Sequence, residues 1–263
     1  MLIKENEKFF LRHLRPTDVF IVGHPKSGNT WLTYMLAIVC YKDSWHRITL
    51  ANLANYIPFM HGDDKGIVKY ANLRDPRIFR NEQPVYPELY PKTIYMVRDP
   101  RSVLVSYYHH YRTVTNDIKT SFEVFVEDYL LHGYIRNFDA NNSRWDKQVL
   151  EWIERTRKDE RVMIVRYEDM VRDRKHVLKK VVEYTSIPCA GEDITLAVNR
   201  GGFEAMCADE ENHGAESYPG EIGKRGRFIR QGKADGWQEE MPSDLAKRIE
   251  NEFAEAMKGA GYL

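Results

Sequence analysis

Val19-Phe20-Ile21-Val22-Gly23 runs through His24 into Pro25-Lys26-Ser27-Gly28-Asn29-Thr30-Trp31. An apolar run, a glycine-containing loop and a helical pattern in that order read as a strand, an anion-cradling turn and a helix start. Successive backbone N–H groups of such a turn point at one anion, and the helix that follows adds unpaired donors and a positive dipole end. A phosphate is the expected occupant. The common nucleotide loop runs G-x-x-x-x-G-K-[ST]. Gly23, Gly28 and Thr30 fit that frame, but Asn29 stands at the lysine position and the lysine has moved inside the loop, to Lys26. A triphosphate–magnesium site sets its lysine on the β- and γ-phosphates, so the altered order suggests a different phosphoryl or sulfuryl donor. Trp31 supplies a flat ring on which an adenine can stack. Taken alone, the stretch also fits an ordinary strand-to-helix turn with a core tryptophan.

Outward from this stretch, short β-branched runs at Val19–Val22, Ile67–Tyr70, Thr93–Val97 and Val162–Val165 alternate with helical patterns. That alternation predicts an α/β fold, a P-loop-like three-layer α/β/α arrangement around a central, mainly parallel sheet. Thr93–Val97 is apolar on both faces, as a central strand should be. Thr120 with Glu123 predicts a capping box ahead of Phe122, Phe125, Val126 and Tyr129, and Ser143 with Asp146 predicts another ahead of Val149 and Trp152. The last helix is expected from Pro242-Ser243 onward, with Leu245, Ile249, Phe253 and Met257 as its apolar stripe. Between Asn199 and Gly236 the periodicity is poor and Gly and charge are frequent, which predicts long loops of the kind that act as lids.

Nothing in the 263 residues requires a second domain, and residues 1–263 are read as one. Lysine plus arginine equals aspartate plus glutamate at 39 each, which gives no whole-molecule field for nucleic acid or an anionic membrane. Any anion site must be local. The first residues lack an apolar targeting segment and no stretch approaches a membrane span, so a cytoplasmic location is expected. Cys40, Cys189 and Cys207 are too scattered for a disulfide framework or a zinc knuckle and read as small buried apolar residues.

Two further segments suit anions. Arg98-Asp99-Pro100-Arg101-Ser102 follows the central strand, where the carboxyl end of a parallel strand meets the ligand crevice. The Arg98 guanidinium suits bidentate phosphate binding, and Ser106 falls in the second turn of the helix that follows. In Arg225-Gly226-Arg227-Phe228-Ile229-Arg230-Gln231-Gly232-Lys233, basic residues alternate with glycines that allow close backbone approach to an anion.

Together the three segments resemble the cytosolic-type sulfotransferases, which use 3'-phosphoadenosine 5'-phosphosulfate (PAPS) and release adenosine 3',5'-bisphosphate. The family's loop is similar to Pro25–Trp31, its R-[ND]-x-[KR]-D-V-x-V-S-Y-Y segment to Arg98–Tyr108, and its F-[MI]-R-K-G-x-x-G-D-W loop to Phe228–Gly232 with Gly236-Trp237. The resemblance implies that Lys26, Ser27, Gly28, Asn29 and Thr30 hold the 5' group. It assigns the 3'-phosphate to Arg98, Ser106, Arg230 and the backbone at Gly232. Trp31, Phe203 and Phe228 would surround the adenine, with Tyr167 of the Tyr167-Glu168-Asp169 run against the nucleotide. Tyr56, Pro58, Phe59 and Met60 would wall the acceptor pocket, and no metal is implied.

One segment departs from the family. Its catalytic base is the histidine of a K-[ST]-H-x-P segment that ends the strand before the Arg98 strand. Alignment on Pro84 puts Glu82 at the histidine and Arg80 at the lysine. Glutamate bases occur in other sulfotransferase branches, so the resemblance implies Glu82 as proton acceptor and Lys26 as the cation that offsets charge on the leaving nucleotide. The rival bases are His24, beside the loop, and His109 or His110 in the Ser106 helix; the two helix histidines also read as packing or surface residues.

The implied reaction is sulfuryl transfer to a hydroxyl or amine of a small-molecule acceptor, a natural product being one such class, with neither nucleic acid nor membrane as partner. A P-loop phosphotransferase and a catalytically silent nucleotide-binding homologue are the alternatives. The acceptor loops would be Leu50–Asp64, Phe138–Ser143 and Cys207–Ile222, in which Asp209-Glu210-Glu211 and Glu216 offer places for a cationic acceptor. The family's C-terminal dimer segment is not apparent, which leaves the oligomeric state open.

Overall fold

β1 (Val19–Gly23) is buried along its whole length because it lies in the interior of a four-stranded sheet, flanked on both edges. A computed structural model describes residues 12–60, 67, 70–84, 86–133 and 144–263. After β1 come α1 (Asn29–Cys40), β2 (Ile78–Asn81), β3 (Lys92–Val97), α2 (Pro100–Thr115), α3 (Phe122–His132) and α4 (Trp145–Lys158). The second half adds β4 (Val162–Arg166), α5 (Tyr167–Thr185), α6 (Gly191–Arg200), α7 (Phe203–His213), α8 (Ser243–Glu252) and α9 (Ala254–Gly259). The sheet order is β2-β1-β3-β4 and every pairing is parallel, with Val19 opposite both Ile78 and Lys92, and Thr93 opposite Val162.

Period-two alternation splits the strand residues between two cores. Phe20, Val22, Phe79, Tyr95 and Val97 face one layer, where Val103 and Tyr107 of α2, Phe125 of α3, Trp145 and Trp152 of α4, Ile249 of α8 and Met257 of α9 pack. Val19, Ile21, Ile78, Ile94 and Met96 face the other, against Leu32 and Leu36 of α1, Leu178 of α5 and Ala197 of α6. The result is the three-layer α/β/α arrangement that the sequence predicts. All strand carboxyl ends lie on one side, so the loops after β1, β2 and β3 converge at one crevice.

Several expectations need correction. Ile67 and Tyr70 lie in 3-10 turns rather than in a strand; Val68 and Lys69 lie outside the described residues. The sheet position falls to β2, whose Arg80 and Asn81 mask its apolar signal although both are buried. Ser121, not Thr120, caps α3: its hydroxyl accepts from Val124 N, while the Thr120 hydroxyl donates to Asp117. Ser143 and the acceptor segment Phe138–Ser143 lie outside the described residues; the first residue of α4 is Trp145. The stretch from Asn199 to Gly236 is not all loop. It contains α7, whose pattern is faint because Met206 and Asp209 alone among its residues are buried. Cys40, Cys189 and Cys207 are half-buried free thiols rather than core residues. The terminal stripe of Leu245, Ile249, Phe253 and Met257 is buried as expected, although Phe253 breaks the helix in two.

Candidate active site

Gly28 starts the crevice because the chain turns sharply there before α1. Its φ is +98°, and an added Cβ would stand 2.7 Å from the Tyr167 ring, so both conformation and space call for glycine. Lys26 also takes a positive φ, +69°, which is uncommon for a lysine. Neither a side-chain cap nor an acidic first turn satisfies the amino end of α1, which leaves an anion-seeking helix start. The crevice holds roughly 1320 Å³ of space, solvent at its mouth included.

Lys26, Gly28, Asn29, Thr30 and Trp31 line the crevice together with Phe59, Glu82, Arg98, Ser106, Tyr167, Phe203, Phe228, Arg230 and Gly232. Ser27 lies behind the loop, fully buried. Among the described residues its hydroxyl finds no partner, and neither do Asn29 Oδ1 and Arg98 Nε, which are also buried. Unsatisfied buried polar atoms are costly, and their collection around one anion cradle fits a polar ligand.

Each cation is positioned by the fold. Lys26 Nζ stands 4.5 Å from the centre of the Phe228 ring. Its pKa is pushed down to about 8, first by burial, against the pull of Glu82 and with added repulsion from Arg98 and Arg230. Arg98 stacks on Tyr167 at 4.0 Å, and its Nη1 and Nη2 donate to the carbonyls of Lys26 and Lys233 at 3.2 and 3.3 Å. The Arg230 guanidinium pairs with Glu240, whose other oxygen lies 2.5 Å from His109 Nε2. Gln231 Nε2 also donates to Glu240, at 2.9 Å. Arg101, three residues after Arg98, binds Asp99 and Glu250 and stacks on Trp237, which steadies the start of α2.

Against the same Tyr167 ring that Arg98 covers, Trp31 packs edge-on with ring centres 5.4 Å apart, and its indole donates to the carbonyl of Gly201 at 2.7 Å. Phe203 is 43% exposed, and Gly232 takes φ +65° beneath it, where an added Cβ would come within 2.4 Å of the Phe203 ring. These flat faces suit a purine.

Glu82 lines the crevice at the end of β2. Asn29 Nδ2 reaches the carbonyls of Gly23 and His24 and, at 3.4 Å, Glu82 Oε1. Asn29 therefore ties the anion loop to the carboxylate with a neutral amide. A lysine at that position would face Glu82 with a full charge. Arg80, at the family's lysine position, is 1% exposed and turned away: it pairs with Glu216, donates to the Ile57 carbonyl at 2.9 Å and lies 3.8 Å from the centre of the Phe59 ring.

His24 does not line the crevice and is 1% exposed. Trp145 N donates to the Tyr129 hydroxyl at 2.8 Å, that hydroxyl lies 2.9 Å from His24 Nε2, and His24 Nδ1 lies 3.0 Å from the Pro25 carbonyl. The chain is complete with Nδ1 protonated and Nε2 accepting. Both ring nitrogens are thus engaged within the core, which gives His24 a place in holding the loop and none facing the crevice. Burial pushes its pKa down to about 4. Because the folded value lies below the unfolded 6.5, stability is retained above pH 6.5 and lost as the pH falls towards 4, about 2 kcal/mol by pH 5. Urea unfolding at pH 7 and pH 5 should show that loss in the wild type, and His24→Gln should lose clearly less. Equal losses would assign the acid sensitivity to other groups.

Of the four proposed acceptor-wall residues, Phe59 faces the crevice. Pro58 and Met60 exchange backbone bonds with Arg80 at 2.9 and 2.8 Å, adding a parallel bridge to the edge of β2 that leaves Phe59 between them. Tyr56 lines a separate hollow with Cys40, Tyr41 and Arg74. Of the four acids expected to receive a cationic acceptor, Glu211 is exposed and the other three are engaged internally. Asp209 accepts from Leu50 N and Arg200, Glu210 from Phe228 N and Ile229 N, and Glu216 from Arg80 and Ala54 N.

The crevice also contains His110, one of the rival bases, together with Met206, Arg174 and Ser217, which sequence reasoning missed. Helical spacing held the signal for three of them: His110 is four residues after Ser106, Met206 three after Phe203, and Arg174 seven after Tyr167. His110 lies 3.1 Å from the Tyr218 hydroxyl and stacks on that ring, so it is a crevice residue and not the packing or surface residue expected. Burial, with a smaller contribution from Lys26, pushes its pKa down to about 3. His109 is the half-exposed partner of Glu240.

The Sulfotransferase domain family model matches residues 16–261. Rabbit (Oryctolagus cuniculus) amine sulfotransferase is 26% identical over 257 residues, 93% of this chain and 82% of the relative. Mouse (Mus musculus) sulfotransferase 1E1 is 26% identical over 272 residues, covering 97% and 87%. Among solved structures, retinol dehydratase in complex with androsterone and the inactive cofactor PAP superposes with a TM-score of 0.70 at 20% identity, covering 95% of this chain and 86% of the other. A mouse sulfotransferase complexed with PAP gives a TM-score of 0.69 at 23% identity, covering 95% and 89%. At these identities the structural matches establish the fold.

Proposed function

The chain belongs to the sulfotransferase family and is a PAPS-dependent sulfotransferase acting on small molecules, and from that premise we propose how its residues divide the work. Lys26, Gly28, Asn29 and Thr30 bind the 5' end of the donor, with Ser27 supporting the loop from behind. Arg98, Ser106, Arg230 and the Gly232 backbone take the 3'-phosphate, and Trp31, Tyr167, Phe203 and Phe228 hold the adenine. The bound donor supplies an activated sulfuryl group. Glu82 accepts the acceptor's proton, while the Lys26 ammonium offsets the negative charge that grows on the leaving phosphate.

The observation that carries this reading is the joint presence of Lys26 and Glu82 in one crevice, where Glu82 attracts the Lys26 ammonium electrostatically and Asn29 donates to the Glu82 carboxylate. The acceptor binds beside Glu82, among Phe59, His110, Met206, Ser217 and Phe228. That mixture of aromatic faces and a few polar groups suits an aromatic or partly apolar alcohol or amine. The resemblance to cytosolic-type enzymes favours action in the cytoplasm.

Calorimetry with adenosine 3',5'-bisphosphate in the absence of metal should give saturable binding, and ATP with magnesium should bind far more weakly. A panel of phenols, alcohols and amines, followed by mass spectrometry, should reveal sulfated products when PAPS is present. Preference for ATP with magnesium would overturn the donor assignment, and donor binding without product across the panel would favour a silent homologue.

A further inference from the structure

Glu210 lies on α7, outside the lining of the crevice, yet its carboxylate reaches the segment that closes it. Oε1 accepts from Phe228 N at 2.5 Å and Oε2 from Ile229 N at 2.8 Å. Two consecutive amides on one carboxylate form a two-point attachment, and charge-assisted bonds of this kind are stronger than neutral ones. The attachment lies immediately before the residues that matter. Phe228 covers Lys26 Nζ, Arg230 follows two residues after Phe228, and Gly232 follows beneath Phe203. Downstream, the Ser102 hydroxyl donates to the Ala234 carbonyl at 2.9 Å, and Arg98 Nη2 donates to the Lys233 carbonyl. The segment from Phe228 to Ala234 is thus held from both ends, by α7 on one side and by Arg98, just after β3, and α2 on the other.

We propose that Glu210 is a positioning residue of the donor site: its carboxylate latches the Phe228-Ile229 backbone so that Arg230 and Gly232 are presented to the donor's 3'-phosphate. The proposal rests on the assignment of that phosphate to Arg230 and Gly232. The preceding acid has another duty: Asp209 holds Leu50 N and Arg200. The attachment requires two acceptor oxygens. Glu210→Gln keeps the size of the side chain but offers one oxygen and one N–H group, so only one of the two amides retains a partner.

Two measurements on the full chain test the latch. Hydrogen exchange read on a peptide spanning 226–233 should show lost protection in Glu210→Gln, with peptides from β1 and β3 unchanged. Calorimetry with adenosine 3',5'-bisphosphate and with adenosine 5'-monophosphate should show the bisphosphate weakened about tenfold, as expected for a charge-assisted contact made imperfect, and the monophosphate, which still meets the Phe228 ring, weakened clearly less. KM for PAPS should rise while kcat at saturation holds. Equal weakening of both nucleotides, or unchanged protection of 226–233, overturns the latch. A wild-type protein that does not prefer the bisphosphate overturns the 3'-phosphate assignment itself, and the latch with it.

Discussion

Glu82→Gln should reduce turnover about a hundred- to ten-thousand-fold, the range expected when a positioned proton acceptor is removed, while leaving adenosine 3',5'-bisphosphate bound at least as tightly as in the wild type. Glutamine is nearly isosteric and can still accept from Asn29 Nδ2 at the Oε1 position, so the loop keeps its shape. What disappears is the proton-accepting charge. Because Glu82 attracts Lys26 electrostatically and would repel an anionic donor, its loss does not weaken the donor site. The two readouts should therefore separate: product formation collapses and calorimetric affinity does not. Turnover within a few-fold of wild type would move the proton acceptor elsewhere, and His110, which lines the same crevice, would be the next residue to test.

For Lys26→Met the loss should reach both binding and chemistry. Lys26 stands with Arg98 and Arg230 at the donor end, and removing a charged hydrogen-bond donor costs about 1.5–3 kcal/mol, or roughly ten- to a hundred-fold in affinity. A further fall of about a hundred- to a thousand-fold in kcat is expected if Lys26 meets charge that develops in the transition state. The proton linkage supplies an independent signature. In the ligand-free protein Lys26 has a pKa of about 8, and a bound anion stabilises its charged form, so the pKa must rise on binding. The complex then holds more protons than the free protein near pH 8, and bisphosphate affinity must fall as the pH rises through 8. Calorimetry in buffers of different ionisation enthalpy should detect proton uptake near pH 8 in the wild type and lose it in Lys26→Met. An unaltered proton uptake in the variant would place the linked proton on another group.

Much of the donor end was legible because its residues sit in short, contiguous segments whose chemistry is local. The run from Pro25 to Trp31 carries its own strand, turn and helix start, and Arg98 and Arg230 each follow a recognisable pattern. β2 was harder to read. Its Arg80 and Asn81 look like surface residues until Glu216, 136 positions away from Arg80, is brought beside the strand. The acceptor end was equally obscure. Tyr56, Pro58, Phe59 and Met60 are adjacent in sequence, but backbone pairing with Arg80 sends Phe59 alone among them into the crevice.

The sequence by itself determined the parallel α/β architecture and the glycine-containing loop with its displaced lysine, and it put Glu82 forward where the family's histidine would stand. Those are consequences of hydrophobic period and of residue identity within a few positions. Only the tertiary structure decided that His24 is locked between Tyr129 and Pro25 while His110 reaches the crevice. It also decided that Asn29 joins the loop to Glu82, and that Glu210 is committed to the amides of Phe228 and Ile229. The physical reason is the range of the interaction. Strand and helix patterns arise from near neighbours, whereas the engagement of a polar group depends on which distant group the packing of both sheet faces brings within about 3 Å of it.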